Sequence, residues 1–306
     1  MHLIRIKNQK IRSGLSPAFL LLNILIIFFC HIAFANSVSQ SEQIKKATQN
    51  KIHLPAESII SLAPNLTDLL VNIGAQNQLV GVSAGLEQLG LPKQVMALPK
   101  VYNISTVNLE MIVALRPDLI VLWKEGTSPL VLKTLRKLNI PLLVLSFRKL
   151  ENIPEALRVL GEATGRVKAA NQQADAFEKN LYFLKLKYAH KNKTPKRVFI
   201  QISQFPIFTL GSESIQSQMV AICGGRNIFS DVPRIAFSVS PSEVILKNPE
   251  VIIATPPADF SLWEKFKINM SAIRAHHECV VNPNNFSLES ERMMLGLKAV
   301  CECINK

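Results

Sequence analysis

From Arg166 to His190 the chain carries no glycine, no proline and no strand-forming run; alanine, glutamine, glutamate, lysine and leucine dominate. These are good helix formers, so the stretch is predicted to form one uninterrupted helix about 35 Å long at ~1.5 Å per residue. Its place in the chain constrains the fold more than its content does. On both sides, short apolar runs alternate with helical periods, the pattern that builds parallel sheets with crossover helices. A long helix in the middle of such a 306-residue chain divides it into two α/β lobes and bridges them.

The alternation is visible residue by residue. Ser58 to Leu62 is a β-branched apolar run, Leu66, Leu69, Leu70 and Ile73 follow at helical spacing, and Leu79 to Val82 reads as the next strand. Leu119-Ile120-Val121-Leu122 and Leu142-Leu143-Val144-Leu145 are continuously apolar, as strands covered on both faces are. Ile153 to Thr164 forms a helix ended by Gly165. After the long helix come a strand at Val198–Ile202, helices at Ser214–Cys223 and Ser242–Leu246, strands at Val251–Ala254 and Cys279–Val281, and a helix at Glu289–Cys303. The run from Glu110 through Pro117 is echoed by that from Glu243 through Pro249, one residue shorter. The organisation expected is a signal peptide at 1–35, a flexible leader at 36–56, an N-terminal lobe at 57–165, the bridging helix at 166–190 and a C-terminal lobe at 191–306.

Export follows from the first segment. Arg5, Lys7, Lys10 and Arg12 precede an apolar run from Ala18 to Phe34 that closes on Ala33-Phe34-Ala35, a secretory signal with a small-x-small cleavage site. Retained, the segment would tether the protein to the membrane. Removing it takes four positive charges from the formal +13. The remaining basic residues are spread rather than set in a stripe with aromatics, which argues against nucleic-acid binding. The exported part keeps Cys223, Cys279, Cys301 and Cys303 in a compartment that permits disulfides. Cys301 and Cys303 diverge on a helix, so they are not partners of each other; one structural bond is expected among three pairings.

Catalytic signatures are missing from the sequence: no Gly-x-Gly-x-x-Gly after a strand, no Walker loop, no Gly-x-Ser-x-Gly elbow. A hydrolase using Ser61 or Asp68 would need a histidine beside it, and outside the signal and leader only His190, His276 and His277 remain. His276-His277-Glu278-Cys279 alternates faces on an incoming strand, a poor metal set. Asn108 caps the helix carrying Glu110, and Ser240-Pro241-Ser242-Glu243 is a capping box. Tyr102, Trp123, Phe205, Phe208, Phe237 and Phe286 fall at or after strand ends, a distribution suited to a large, flat ligand held between lobes.

Five segments stand out together: Arg197 to Gly211, Glu213 to Gln218, Cys223-Gly-Gly-Arg-Asn-Ile-Phe229, Asn108 to Trp123 and Ile60 to Asp68. They resemble the periplasmic cobalamin-binding receptors of ABC importers. The Leu115-to-Val121 pattern is shared with the wider group of siderophore, haem and cobalamin receptors, and the resemblance spans about residues 57 to 303. It implies two Rossmann-like lobes with central parallel sheets, joined by a rigid helix. It implies a monomeric, non-enzymatic receptor with no cofactor, which takes a corrinoid (vitamin B12) from the periplasm and hands it to an inner-membrane permease. An Fe(III)-siderophore or haem receptor is the alternative, with Tyr102 the candidate haem ligand. Tyr102, Trp123, Phe208, Phe237 and Asn284 are the expected ligand contacts. Glu110 matches the first permease-docking glutamate. At the second, the matching position is Ser242 and Glu243 is its neighbour. Cys223–Cys301 matches the disulfide of these receptors, leaving Cys279 and Cys303 as a second candidate pair. The cleft departs from the pattern at Tyr102, Ala236, Asn284 and Leu288.

Overall fold

The computed structural model describes residues 54–103, 106–188 and 194–306. The expected signal (1–35), most of the leader and His190 lie outside the described residues.

The first half alternates as its sequence requires: β1 (Ile59–Ser61), α1 (Pro64–Asn72), β2 (Leu79–Ser83), α2 (Lys93–Met96), β3 (Lys100–Tyr102), α3 (Leu109–Ala114), β4 (Leu119–Trp123), α4 (Pro129–Leu135), β5 (Leu142–Leu145) and α5 (Asn152–Thr164). The five strands are parallel, in the order β3-β2-β1-β4-β5. The continuously apolar β4 sits inside the sheet with Leu119 to Leu122 buried, helices covering both faces. Gly165, at φ 70°, takes the left-handed conformation that stops α5.

One helix, α6 (Val167–Tyr188), then leads into the second half. Its buried residues, Ala170, Ala174, Phe177, Leu181 and Tyr188, recur at helical spacing along one stripe. That stripe packs on α5 and reaches helices of the far lobe. The approach to α5 is close: a Cβ on Gly161 would stand 2.3 Å from the Ala170 Cβ. On the outside, Arg158 of α5 bridges to Glu178 and Asp175 of α6 at 2.6 and 2.8 Å.

The second half comprises β6 (Lys196–Gln201), β7 (Ser203–Gln204), β8 (Ile207–Leu210), α7 (Ile215–Ile222), β9 (Gly225–Asn227), β10 (Ala236–Ser238), α8 (Pro241–Lys247), β11 (Val251–Ala254), α9 (Ser261–Glu264), α10 (Ser271–Arg274), β12 (Glu278–Val280), α11 (Pro283–Phe286) and α12 (Met293–Ile304). A parallel sheet runs β12-β11-β6-β9, and a small antiparallel sheet runs β10-β8-β7. α12 packs on α7 and on the bridging helix. One apolar core is therefore continuous from Leu70 through Phe177 to Val300, so the lobes share a spine.

Two expectations are corrected. The last helix begins at Met293, not Glu289, because residues 288–292 are drawn toward α1 of the other lobe, where Arg292 meets the fully buried Asp68. Two disulfides form rather than one: Cys223–Cys301 ties α7 to α12, and Cys279–Cys303 ties β12 to α12.

Candidate ligand-binding cleft

The carboxyl ends of the first sheet converge on a cavity of about 600 Å³. Its lining comes from the turns after β1 (Leu62, Pro64), β2 (Ser83, Gly85), β3 (Tyr102) and β4 (Trp123, Thr127). Such turns are where open parallel sheets bind ligands. Trp123 also lines a second cavity of about 250 Å³, closed on the far side by Ile202, Leu210, Ile215 and Glu289 of the second lobe. The two spaces form a groove between lobes with Trp123 at their junction. Gly126 leaves room for that ring, since a Cβ there would lie 2.2 Å from it. The Trp123 indole N–H and the Ser83 hydroxyl are buried without a hydrogen-bond partner among the described residues.

The expected contact residues are not all brought together. Tyr102 and Trp123 stand in the cavity wall, and the Tyr102 hydroxyl donates to the Gly126 carbonyl at 3.4 Å. Phe208 is exposed on β8, on the same face as Leu210 of the groove. Phe237 lies on the opposite face. Its register partner is Thr209, and its ring packs edge-on against Phe229, 5.5 Å between centroids, in the core of the second lobe. Asn284 spans the lobes, its amide donating to the Gln88 carbonyl at 3.0 Å.

Sequence reasoning passed over the carboxylates at the groove floor. Glu125, after β4, is 6 % exposed and accepts from the Ser146 hydroxyl, the Phe147 N–H and Arg148. Arg148 also reaches Glu213 of the second lobe at 2.9 Å. Opposite lies Glu289, whose Oε2 is 3.5 Å from the Asn65 amide. Burial pushes the Glu289 carboxyl up to about 7, and the charge of Glu125 acts in the same direction. Glu291, which accepts from Asn72 at 2.9 Å, is also pushed up to about 7, chiefly by burial. Position after a strand's carboxyl end was the available signal for Glu125. Glu289 was hidden by its reading as a helix start.

The groups a hydrolase would have needed are committed elsewhere. The Ser61 hydroxyl accepts from Thr67 at 2.8 Å. Asp68 accepts from Arg292 at 2.8 and 3.0 Å, and these bonds raise the pKa of the guanidinium. On the outer surface, Glu110 is exposed on the first turn of α3, capped by Asn108. Glu243 is exposed too, but its carboxylate closes the Ser240 capping box, and those hydrogen bonds hold its pKa below the usual range.

The fold has counterparts. Residues 59–276 match the family model for periplasmic binding proteins. The chain belongs to that family. Among relatives of this periplasmic binding protein, the vitamin B12-binding protein of Pectobacterium carotovorum is 32 % identical over 246 residues, covering 80 % of this chain and 87 % of its own. The crystal structure of the periplasmic vitamin B12 binding protein BtuF of Vibrio cholerae superposes with a TM-score of 0.75 at 31 % identity, covering 82 % of this chain and 97 % of its own. The periplasmic haem-binding protein RhuT of Roseiflexus shares the fold, with a TM-score of 0.70 at 19 % identity over 82 % of this chain and 98 % of its own.

Proposed function

We propose that this protein is a periplasmic receptor that captures cobalamin between its lobes and delivers it to an ABC importer. The observation that carries the reading is the groove: apolar and aromatic-walled, open between two lobes, built on strand carboxyl ends. It is supported by near-full-length likeness to vitamin B12-binding proteins. Tyr102, Trp123 and Phe208 pack on the corrin by shape, and the unpartnered Trp123 and Ser83 donors meet acceptors at its edge. No bond is made or broken, so the protein acts as a carrier and not as an enzyme. Glu110 presents a free acidic tip to the permease; Glu243, held in its own cap, is the weaker docking group, with Ser242 exposed beside it. The signal at 1–35 is cleaved on export, and the carrier works as a monomer.

Isothermal titration of the exported protein with cyanocobalamin tests the reading; one saturable site is expected. A haemin titration run beside it decides against the proposal if it gives a Soret shift while cobalamin gives no heat.

A further inference from the structure

We propose that Glu289, facing Glu125 across the groove floor, sets which tetrapyrroles this receptor accepts, favouring a periphery of uncharged amides and repelling one of carboxylates. The inference rests on the cobalamin reading above and names the part of the site that refines it.

The argument starts from the charges gathered where the lobes meet. Among the described residues, three carboxylates, of Glu125, Glu213 and Glu289, line the inter-lobe cavity, and two more, of Asp68 and Glu291, lie at the same junction of the lobes; Arg148 and Arg292 are the guanidinium groups paired with them. Arg292 is consumed by Asp68 in a two-point contact, and Arg148 is shared between Glu125 and Glu213. Glu291 is turned to Asn72. Glu289 has no such cation among the described residues; its carboxyl accepts from its own backbone N–H and from the Asn65 amide, 3.5 Å away. It also lines the inter-lobe cavity, with Trp123 and Leu210 in the same wall. A ligand seated on Trp123 therefore brings its edge to a carboxylate that no cation of the described residues pairs.

Chemistry then divides the flat ligands. A primary amide donates an N–H to such a carboxylate. A carboxylate edge meets like charge in a partly desolvated space, which costs affinity. Corrinoids carry peripheral amides and haem carries carboxylates, so an acidic floor separates two ligands that aromatic walls alone would treat alike. Proton binding modulates the effect. Burial lifts Glu289 to about 7, so it is charged above neutrality and neutral well below it.

The experiment compares cyanocobalamin with each of its separated monocarboxylates, in which one peripheral amide is hydrolysed, by isothermal titration at pH 8.5 and 5.5. Wild-type protein is expected to prefer the parent over at least one monocarboxylate by about tenfold or more at pH 8.5. The preference should shrink at pH 5.5, where Glu289 holds its proton while the ligand acid stays ionised. Glu289→Gln should lose the preference at both values. A preference unchanged in Glu289→Gln, or a wild-type ratio of one for every monocarboxylate, overturns the inference and leaves the cobalamin reading standing. Silence toward every corrinoid overturns both. Because the wild-type pH comparison needs no variant, the outcome does not hinge on how Glu289→Gln folds.

Discussion

Replacing Arg292 with methionine strips the partner from a buried charge. Asp68 has no exposed surface and accepts both guanidinium bonds at 2.8 and 3.0 Å, while Arg292 also donates to the Leu89 carbonyl at 2.7 Å. Removing one partner of a fully buried pair costs ~3–5 kcal/mol. Arg292 is 31 % exposed, so water reaches its end of the pair. We therefore expect Arg292→Met to lose roughly 2–4 kcal/mol. The two tryptophans, Trp123 and Trp263, stand one in each lobe, so urea unfolding followed by fluorescence reports both. The midpoint should fall with the slope unchanged if the lobes still unfold together. Adding Asp68→Leu should recover at least half of the loss, because the stranded charge is gone. A loss within about 0.5 kcal/mol for Arg292→Met, or strict additivity of the two changes, would refute the reasoning.

Two further outcomes follow from other contacts. Gly161→Ala should destabilise by about 1–2 kcal/mol in a thermal melt despite its better helix propensity, since the new methyl meets Ala170 at 2.3 Å, and Ala170→Gly should restore it. The raised carboxyls of Glu289 and Glu291 bind protons in the native state that the unfolded chain has already released between about pH 4.5 and 7. Stability should therefore fall as pH rises through that window. Changing both to glutamine should gain on the order of 1–3 kcal/mol at pH 8, and the gain should vanish near pH 4.5.

Much of this architecture could be read from residues alone, and the failures have local causes. The uninterrupted stretch after Gly165 announces itself by composition, and the apolar runs at β4, β6 and β11 do so because burial on both faces leaves no alternation to misread. The small sheet of β7, β8 and β10 does not, being strands of two to four residues whose order depends on register with one another. That register decides the site: one step along β10 turns Phe237 into the core, while Phe208 on β8 stays on the groove face. Asp68 could be weighed as a group for a hydrolase because its arginine is 224 positions away. The floor at Glu125 and Glu289 was illegible for the same reason, since neither residue shows its opposite number in sequence.

Four contacts that cross between lobes, from Asn65 to Glu289, Asn72 to Glu291, Asp68 to Arg292 and Gln88 to Asn284, stitch the two halves together beside a shared helical spine. Swinging the lobes apart like a clamshell would break every one of these bonds. If the seam holds in both states, a transporter meeting this carrier would have to tell a loaded molecule from an empty one by feeling the rim and the guest itself.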